Sequence, residues 1–571
     1  AQGWALPLAP VWHERFKMGL AEWQRSMERW LCSPASPIFR LIGSFVESGT
    51  WYRASGVIAA AVIAYTVVTL LFRPASSSGS LTFAVVSSGC ALANVAAFAS
   101  YRPQVVPLIG AGGLSPASEL LRRMRRVPFS RAPCAFRFFE DCTDRLLLAA
   151  CDLGLACSAL LVLLPLARAK LPTTACLLAP VLWLAAGAAY LSLVTVSGDF
   201  LGLQSDSNLV EVDALMALLA LVAPGHPQVA VAVVRFFAFR KMLGCGICKY
   251  YGSPMWRDFT ALQVHYFTQP LVNPRSYHAH HLPEAMHRFS VLATFVVEVA
   301  LPFLAWAPRP LRLLAWAGFN GLNAVINLSG NYGFIGFLNT MENLSLTDDG
   351  LWGAVLAPPP PLPAPLLVRA PVAAALAAYV AVSLLPLARA AKGSVGLRTL
   401  RMPDRAAEWL GQLEEAQHPF RLVNYQGKFA GMHNFRWEPV LEGSEDGGVT
   451  WRQFRWRYKL NSGPSERGVA LWLHLPRLDW RVWFLPLGAA RGKEPPAWYH
   501  RLLEKLAQQD PGVLGLLQGS PFPGTAGGLT VRSRLEACEV APRSDPQGRG
   551  WLFKSLRGRT PMDLLVAAPR N

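Results

Sequence analysis

The chain has 571 residues, 52% of them hydrophobic and only 16% charged, with 54 Lys+Arg against 36 Asp+Glu. So much apolar surface on so long a chain excludes an ordinary soluble enzyme and requires residues that face lipid. The basic surplus suits anionic lipid head groups; no RNA-binding or zinc-finger pattern accompanies it, and much of the Arg lies in short loops where it orients helices, so nucleic acid is not the expected partner.

Residues 1–50 are amphipathic, with Trp4, Trp12, Phe16, Trp23 and Trp30 interleaved with Arg15, Lys17, Arg25 and Arg29, as in a segment lying at a membrane interface. A start at Ala1 rather than Met is compatible with a processed N-terminus. A multi-helix transmembrane domain is predicted over 51–390. Its apolar runs fall at 54–72, 81–99, 146–167, 172–196, 212–223, 229–248, 289–305, 311–328, 334–346 and 366–388. That makes 8–11 membrane segments, about ten, for a bilayer core that takes about 20 apolar residues per helix. The stretch 101–143 is polar and carries Arg122, Arg123, Arg125 and Arg126 on a surface helix, and the Pro-rich run 357–365 is a loop.

A linker at 391–411 leads to a C-terminal β-rich, sandwich-like soluble domain at 412–571. Phe454, Trp456 and Tyr458 alternate with Arg455, Arg457 and Lys459, which predicts a half-buried strand. The runs 471–475 and 478–484 alternate similarly, 442–450 supplies a turn, and 497–509 predicts an amphipathic helix. Nine of the ten cysteines precede residue 250 and Cys538 stands alone in this domain, so no internal disulfide is expected there.

Several residue groups could carry chemistry. His278, His280, His281 and His287 crowd one polar loop, but adjacent histidines diverge on any regular backbone, so hydrogen bonding is favoured over a metal. Cys245 and Cys248 have redox spacing but end an apolar helix, where small residues serve close packing. Glu298 lies within a span and requires a partner, with Arg235, Arg240, Lys241 or His287 as candidates. Asp199, Asp206, Glu211 and Asp213 form a second polar cluster at a helix end, either a structural network or a head-group site. Asp348 and Asp349 read as a solvated helix terminus. Trp472, Trp480, Trp483 and Trp498 suit either a client-binding surface or a β core, and Arg452, Arg455 and Arg457 an exposed strand face or an anionic-lipid contact.

From 255 to 349 the residues become specific. The order runs Trp256-Arg-Asp-Phe-Thr-Ala-Leu, His265-Tyr-Phe-Thr-Gln269-Pro, Asn273-Pro, then Ala279 with His280 and His281. Glu298 with Pro302-Phe, Gly330-Asn331-Tyr and Thr347-Asp348-Asp349 follow. Upstream stand Gln104 with Gly110, Gly113, Leu114 and Pro116, then Gln204, Asp206, Leu209 and Glu211. Downstream come Val423-Asn-Tyr, Glu442-Gly-Ser, Thr450-Trp, Arg457-Tyr-Lys and Pro476-Arg477-Leu-Asp479-Trp480 with Trp483-Phe. In order and spacing these resemble the lipase maturation factor family, from about residue 80 to about 535. Leu203 and Ser205 depart from it by replacing aromatic residues.

The resemblance implies a polytopic membrane protein, in the family's best-known members resident in the endoplasmic reticulum, that helps dimeric secreted lipases fold and assemble. It also implies a distant relative of the vitamin K-dependent carboxylases without their chemistry: a chaperone, not an enzyme, with no catalytic residue, cofactor or metal attached. Expected partners are protein clients and anionic membrane lipids. The Trp472, Arg477, Asp479, Trp480 and Trp483 group is the expected partner surface. An alternative with the same fold is a structural accessory subunit of a large complex, for example a respiratory complex of the mitochondrial inner membrane.

Overall fold

The computed structural model describes residues 33–168, 171–391, 404–462, 472–525, 527–545, 550–556 and 560–567. The interfacial tryptophans expected at 4, 12, 23 and 30 lie outside these residues, as do most of the 391–411 linker and residue 471 of the first alternating run.

A short helix, α1 (Pro37–Glu47), leads into α2 (Thr50–Phe72), α3 (Ser80–Ile109), α4 (Asp144–Arg168) and α5 (Pro172–Val196). Gly79 precedes α3 at φ 86°, a left-handed conformation that costs glycine nothing. Two buried helices follow, α6 (Gln204–Ala220) and α7 (Pro227–Tyr251), then α8 (Glu284–Leu304), α9 (Arg309–Ser329), α10 (Ile335–Asn343) and α11 (Leu366–Arg389). Within α8, Pro302 cannot donate to the carbonyl of Glu298 and its ring crowds that carbonyl. The turn before it opens into a π turn over Val296–Ala300.

Among the described residues, six helices are long and apolar enough to cross a membrane: Thr50–Phe72, Ser80–Ile109, Asp144–Pro165, Pro172–Val196, Glu284–Leu304 and Leu366–Arg389. The other apolar runs in the sequence count form helices of a different kind. α6 has 17 residues and α10 has nine; α7 carries Arg235, Arg240, Lys241 and Lys249, and α9 carries Asn320, Asn323 and Asn327. α3 packs on α4, α4 on α5 and α5 on α6, while α2 packs on α11 and α7 lies against the π turn. α6 and α7 are buried along most of their length, so their charges meet protein rather than lipid.

After α12 (Asp404–Gln417) comes a five-stranded antiparallel sheet of β1 (Trp437–Ser444), β2 (Arg452–Phe454), β3 (Thr530–Val540), β4 (Trp551–Ser555) and β5 (Leu564–Ala567). Its order is β2-β1-β3-β4, with β5 also paired to β3. Two predicted strands end differently. The alternating run stops as strand at Phe454; Trp456 makes an isolated bridge to Leu517, and Lys459 turns inward to pair with the buried Glu438 at 2.9 Å. The 478–484 run is helical, α13 (Arg477–Val482), because Pro476 sets its first turn and Arg477 and Leu478 are both drawn into the interior. The predicted amphipathic helix is α14 (Ala497–Ala507), which packs on β3 and β5 and buries Trp498, Tyr499, Leu502 and Leu506.

Candidate functional site

Two C-terminal segments lie in a seam against the helical bundle. The first is a strap of residues 421–436. From it Arg421 donates to Ser207 Oγ at 2.5 Å, Asn424 donates through its backbone and side chain to Glu211 at 3.0 Å, and Gln426 reaches Asn208 at 3.4 Å. Gln204 donates to the Gly427 carbonyl at 3.2 Å, Trp256 to the Phe429 carbonyl at 2.8 Å, and Ser253 N–H to the Ala430 carbonyl at 2.7 Å. Arg436 ends the strap by donating to the carbonyls of Phe267 and Gln269 at 2.7 and 2.6 Å.

The second segment is a hook at 475–483. Gln104 donates to the Leu475 carbonyl at 3.1 Å and accepts from Arg477 N–H at 2.8 Å. The Arg477 guanidinium forks onto both Asp206 oxygens at 2.8 and 2.9 Å, and Tyr190 donates to the same carboxylate at 2.8 Å. Trp480 and Trp483 donate to the carbonyls of Asn331 and Thr268 at 3.2 and 2.8 Å. Asp479 accepts from Tyr458 N–H at 3.0 Å, and burial pushes its carboxyl up to about 6.

The expected partner surface is thereby revised. Arg477 and Asp479 are buried, Trp480 and Trp483 are half-buried and bonded within the chain, and Trp498 is core; Trp472 alone of the group is exposed, at 54%, its ring edge-on to Phe337. The acidic cluster is likewise resolved into separate pairs. Asp206 pairs with Arg477, Glu211 with Arg240, Asp199 with Arg481, and Asp213 accepts from Asn94 at 2.6 Å.

Glu298 finds none of its four candidate partners. Lys249 holds both its oxygens at 2.7 Å. Gly246, between Cys245 and Cys248, lets α7 approach the π turn: a Cβ there would meet Val299 at 2.7 Å and Glu298 Cβ at 2.9 Å. Both cysteines are free thiols in that contact.

Asp349 is half-buried rather than solvated. It accepts from Gly79 N–H at 2.7 Å and Thr82 N–H at 2.9 Å and so caps α3, while Asp348 bonds Arg309 and Arg312, each at 3.0 Å. In the histidine loop, His281 contacts the Tyr277 carbonyl at 2.9 Å and His287 the His280 carbonyl at 3.2 Å. Burial, with His281 and His287 nearby, pushes His280 down to about 4.

Beneath the strap, α7, α8, α9 and α10 enclose a cavity of about 310 Å³. Trp256, His265, Glu298 and Tyr332 line it, with Lys241, Lys249 and Lys428. Tyr332 donates to Gln269 at 2.6 Å, and Gln269 donates to the Ser329 carbonyl at 2.5 Å. Burial, with Lys249 alongside, pushes His265 down to about 4, and burial also depresses Lys428. Most of the motif residues thus meet at the seam or in this cavity, whereas His280, His281, Asp348 and Asp349 stand apart. Lys249, Lys428 and Glu342 belong to no motif quoted from the sequence, whereas Asn424 stood in Val423-Asn-Tyr without an assigned partner. Lys249 carried one signal, a lone ammonium at the end of an apolar helix.

Residues 81–354 match the lipase maturation factor transmembrane domain, and residues 422–541 match the lipase maturation factor C-terminal domain. The chain is 27% identical to Lipase maturation factor 1 of Bos taurus over 396 residues, which are 64% of this chain and 68% of that protein. It is 35% identical to Lipase maturation factor 2 of Homo sapiens over 283 residues, 46% of this chain and 39% of that protein. With Lipase maturation factor 2 of Gallus gallus it shares 28% identity over 537 residues, 76% and 73% of the two chains. No solved structure matches.

Proposed function

Because the chain belongs to the lipase maturation factor family, we propose that it is a non-enzymatic membrane chaperone, one that folds and assembles secreted lipases in the endoplasmic reticulum. The observation that carries this reading is the use made of the motif residues. Asp206 holds Arg477, Glu211 holds Asn424, Gln104 holds the hook, and Trp256 holds the strap. They join bundle and C-terminal part into a rigid scaffold, as suits a platform that presents a surface to another protein. Trp472, exposed beside that seam, supplies a large aromatic anchor for a client. Residues 51–390 serve as the membrane domain and 412–571 as the client-facing domain.

The test is expression of the full chain in lipase-secreting cells that lack their own maturation factor. Secretion of active, dimeric lipase should rise. A chain that inserts in the membrane yet brings no gain in active lipase sinks the reading. Migration of all the chain in one large complex at fixed stoichiometry would favour the accessory-subunit alternative instead.

A further inference from the structure

We propose that the cavity beneath the strap binds the head group of a singly anionic, acyl-chain-bearing lipid, seated on Lys428, with its chain leaving sideways between α8 and α9. The inference is independent of the chaperone reading.

Charge is the first reason. Three ammonium groups line the cavity, Lys241, Lys249 and Lys428. Lys241 pairs with Glu342 and Lys249 with Glu298. Among the described residues Lys428 makes no ion pair within 4.0 Å; the carboxylate that acts on it from farther off, Glu298, is already held by Lys249. An unpaired cation in a recess of low dielectric is costly, and a single negative charge placed beside it relieves that cost. One unit of excess positive charge therefore selects a monoanion.

The mouth gives the second. Val325 lines the cavity yet is 54% exposed, and Gly321 beside it is exposed too, with nothing within 4 Å of where its Cβ would stand. The flanks of this opening are apolar and outward-facing, with Leu328 on α9 and Phe289 on α8 both exposed. The cavity thus opens between apolar, outward-facing side chains, a surface suited to acyl chains rather than to water. A free phosphate would leave these walls unfilled; an amphiphile satisfies charge and walls together.

The test uses the full chain reconstituted in nanodiscs of phosphatidylcholine doped with phosphatidylglycerol or, separately, with oleate. After exhaustive exchange into detergent, the lipid retained is quantified by mass spectrometry. The wild-type chain should retain a single equivalent of one dopant over phosphatidylcholine, and which one names the source, phosphodiester or carboxylate. Lys428→Ala should lower retention by about tenfold or more, and Lys428→Arg should keep it. Gly321→Leu narrows the mouth without touching any charge and should lower retention as well, so it decides the matter if Lys428→Ala fails to fold. Retention of phosphatidylcholine as good as that of either dopant, or unchanged retention in folded Lys428→Ala and Gly321→Leu chains, overturns the proposal.

Discussion

Asp206 and Arg477 lie 271 residues apart in sequence and form a bidentate pair at 2.8 and 2.9 Å, both side chains almost wholly withdrawn from solvent. Removing one partner strands the other charge in the interior, at a cost of about 3–5 kcal/mol. Arg477→Met should therefore lower the melting temperature of the full chain in detergent markedly. The double variant Asp206→Asn with Arg477→Met should recover part of that loss. A single variant that melts like the wild type would mean the pair is solvated after all.

Gly246→Ala places a methyl group 2.7 Å from Val299 and 3.0 Å from the Glu298 carbonyl carbon, and the backbone on that side cannot rotate away. Overpacking of this kind costs about 1–3 kcal/mol. Gly321→Ala, where a Cβ meets nothing inside α9, is the matched control and should be neutral or stabilising by up to about 1 kcal/mol in the same thermal melt.

Asp349 and Asp348 are neighbours with different duties. Asp349→Ala frees the Gly79 and Thr82 N–H groups at the start of α3 and should cost about 0.5–2 kcal/mol. Asp348→Ala breaks partly exposed pairs with Arg309 and Arg312 and should cost under about 1 kcal/mol. A reversed order in chemical denaturation would remove the capping role.

Asp479 makes stability depend on pH in a defined direction. Burial raises its folded value to about 6, above the unfolded carboxyl at about 3.9. Between roughly pH 4 and 6 the folded chain then holds more proton than the unfolded one, so this group's contribution falls as pH rises through that window. Asp479→Asn abolishes the effect. The stability difference should move in the variant's favour by about 2–3 kcal/mol across the window and be flat outside it. Parallel melting curves for the two chains would show that the carboxyl is not perturbed.

Trp472→Ala tests the proposed client contact apart from folding. The ring is 54% exposed, so the melting temperature should stay within the roughly 0.5 kcal/mol range of surface substitutions, while co-purification of lipase clients falls. Undiminished client recovery would move the contact elsewhere.

The sequence announced what depends on local pattern. Long apolar runs became membrane-length helices, and the amphipathic stretch at 497–507 became a helix on the sheet. It could not announce what depends on approach between distant segments. Leu478, Trp480 and Val482 alternate as a strand would, but Pro476 and the pull of Asp206 on Arg477 wind them into a helix. Glu298 declared its need for a cation without naming it. The choice of Lys249 is made by Gly246, which sets how closely α7 meets the π turn. The polar motif residues were visible as a set, yet their convergence on two seam segments was not, because hydrogen-bond partners two hundred residues away leave no periodicity behind.

The threading of residues 421–436 and 475–483 against the bundle has a consequence for biogenesis. Asp206 and Glu211 emerge from the ribosome long before Arg477 and Asn424 exist. Helix α6, which carries both, is made with those partners still unsynthesised. A chain stopped short of residue 477 would hold Asp206 without its arginine, although Glu211 would keep Arg240, and quality-control machinery would meet it as an orphan. Maturation of this protein therefore waits on its last third, however early its hydrophobic helices insert.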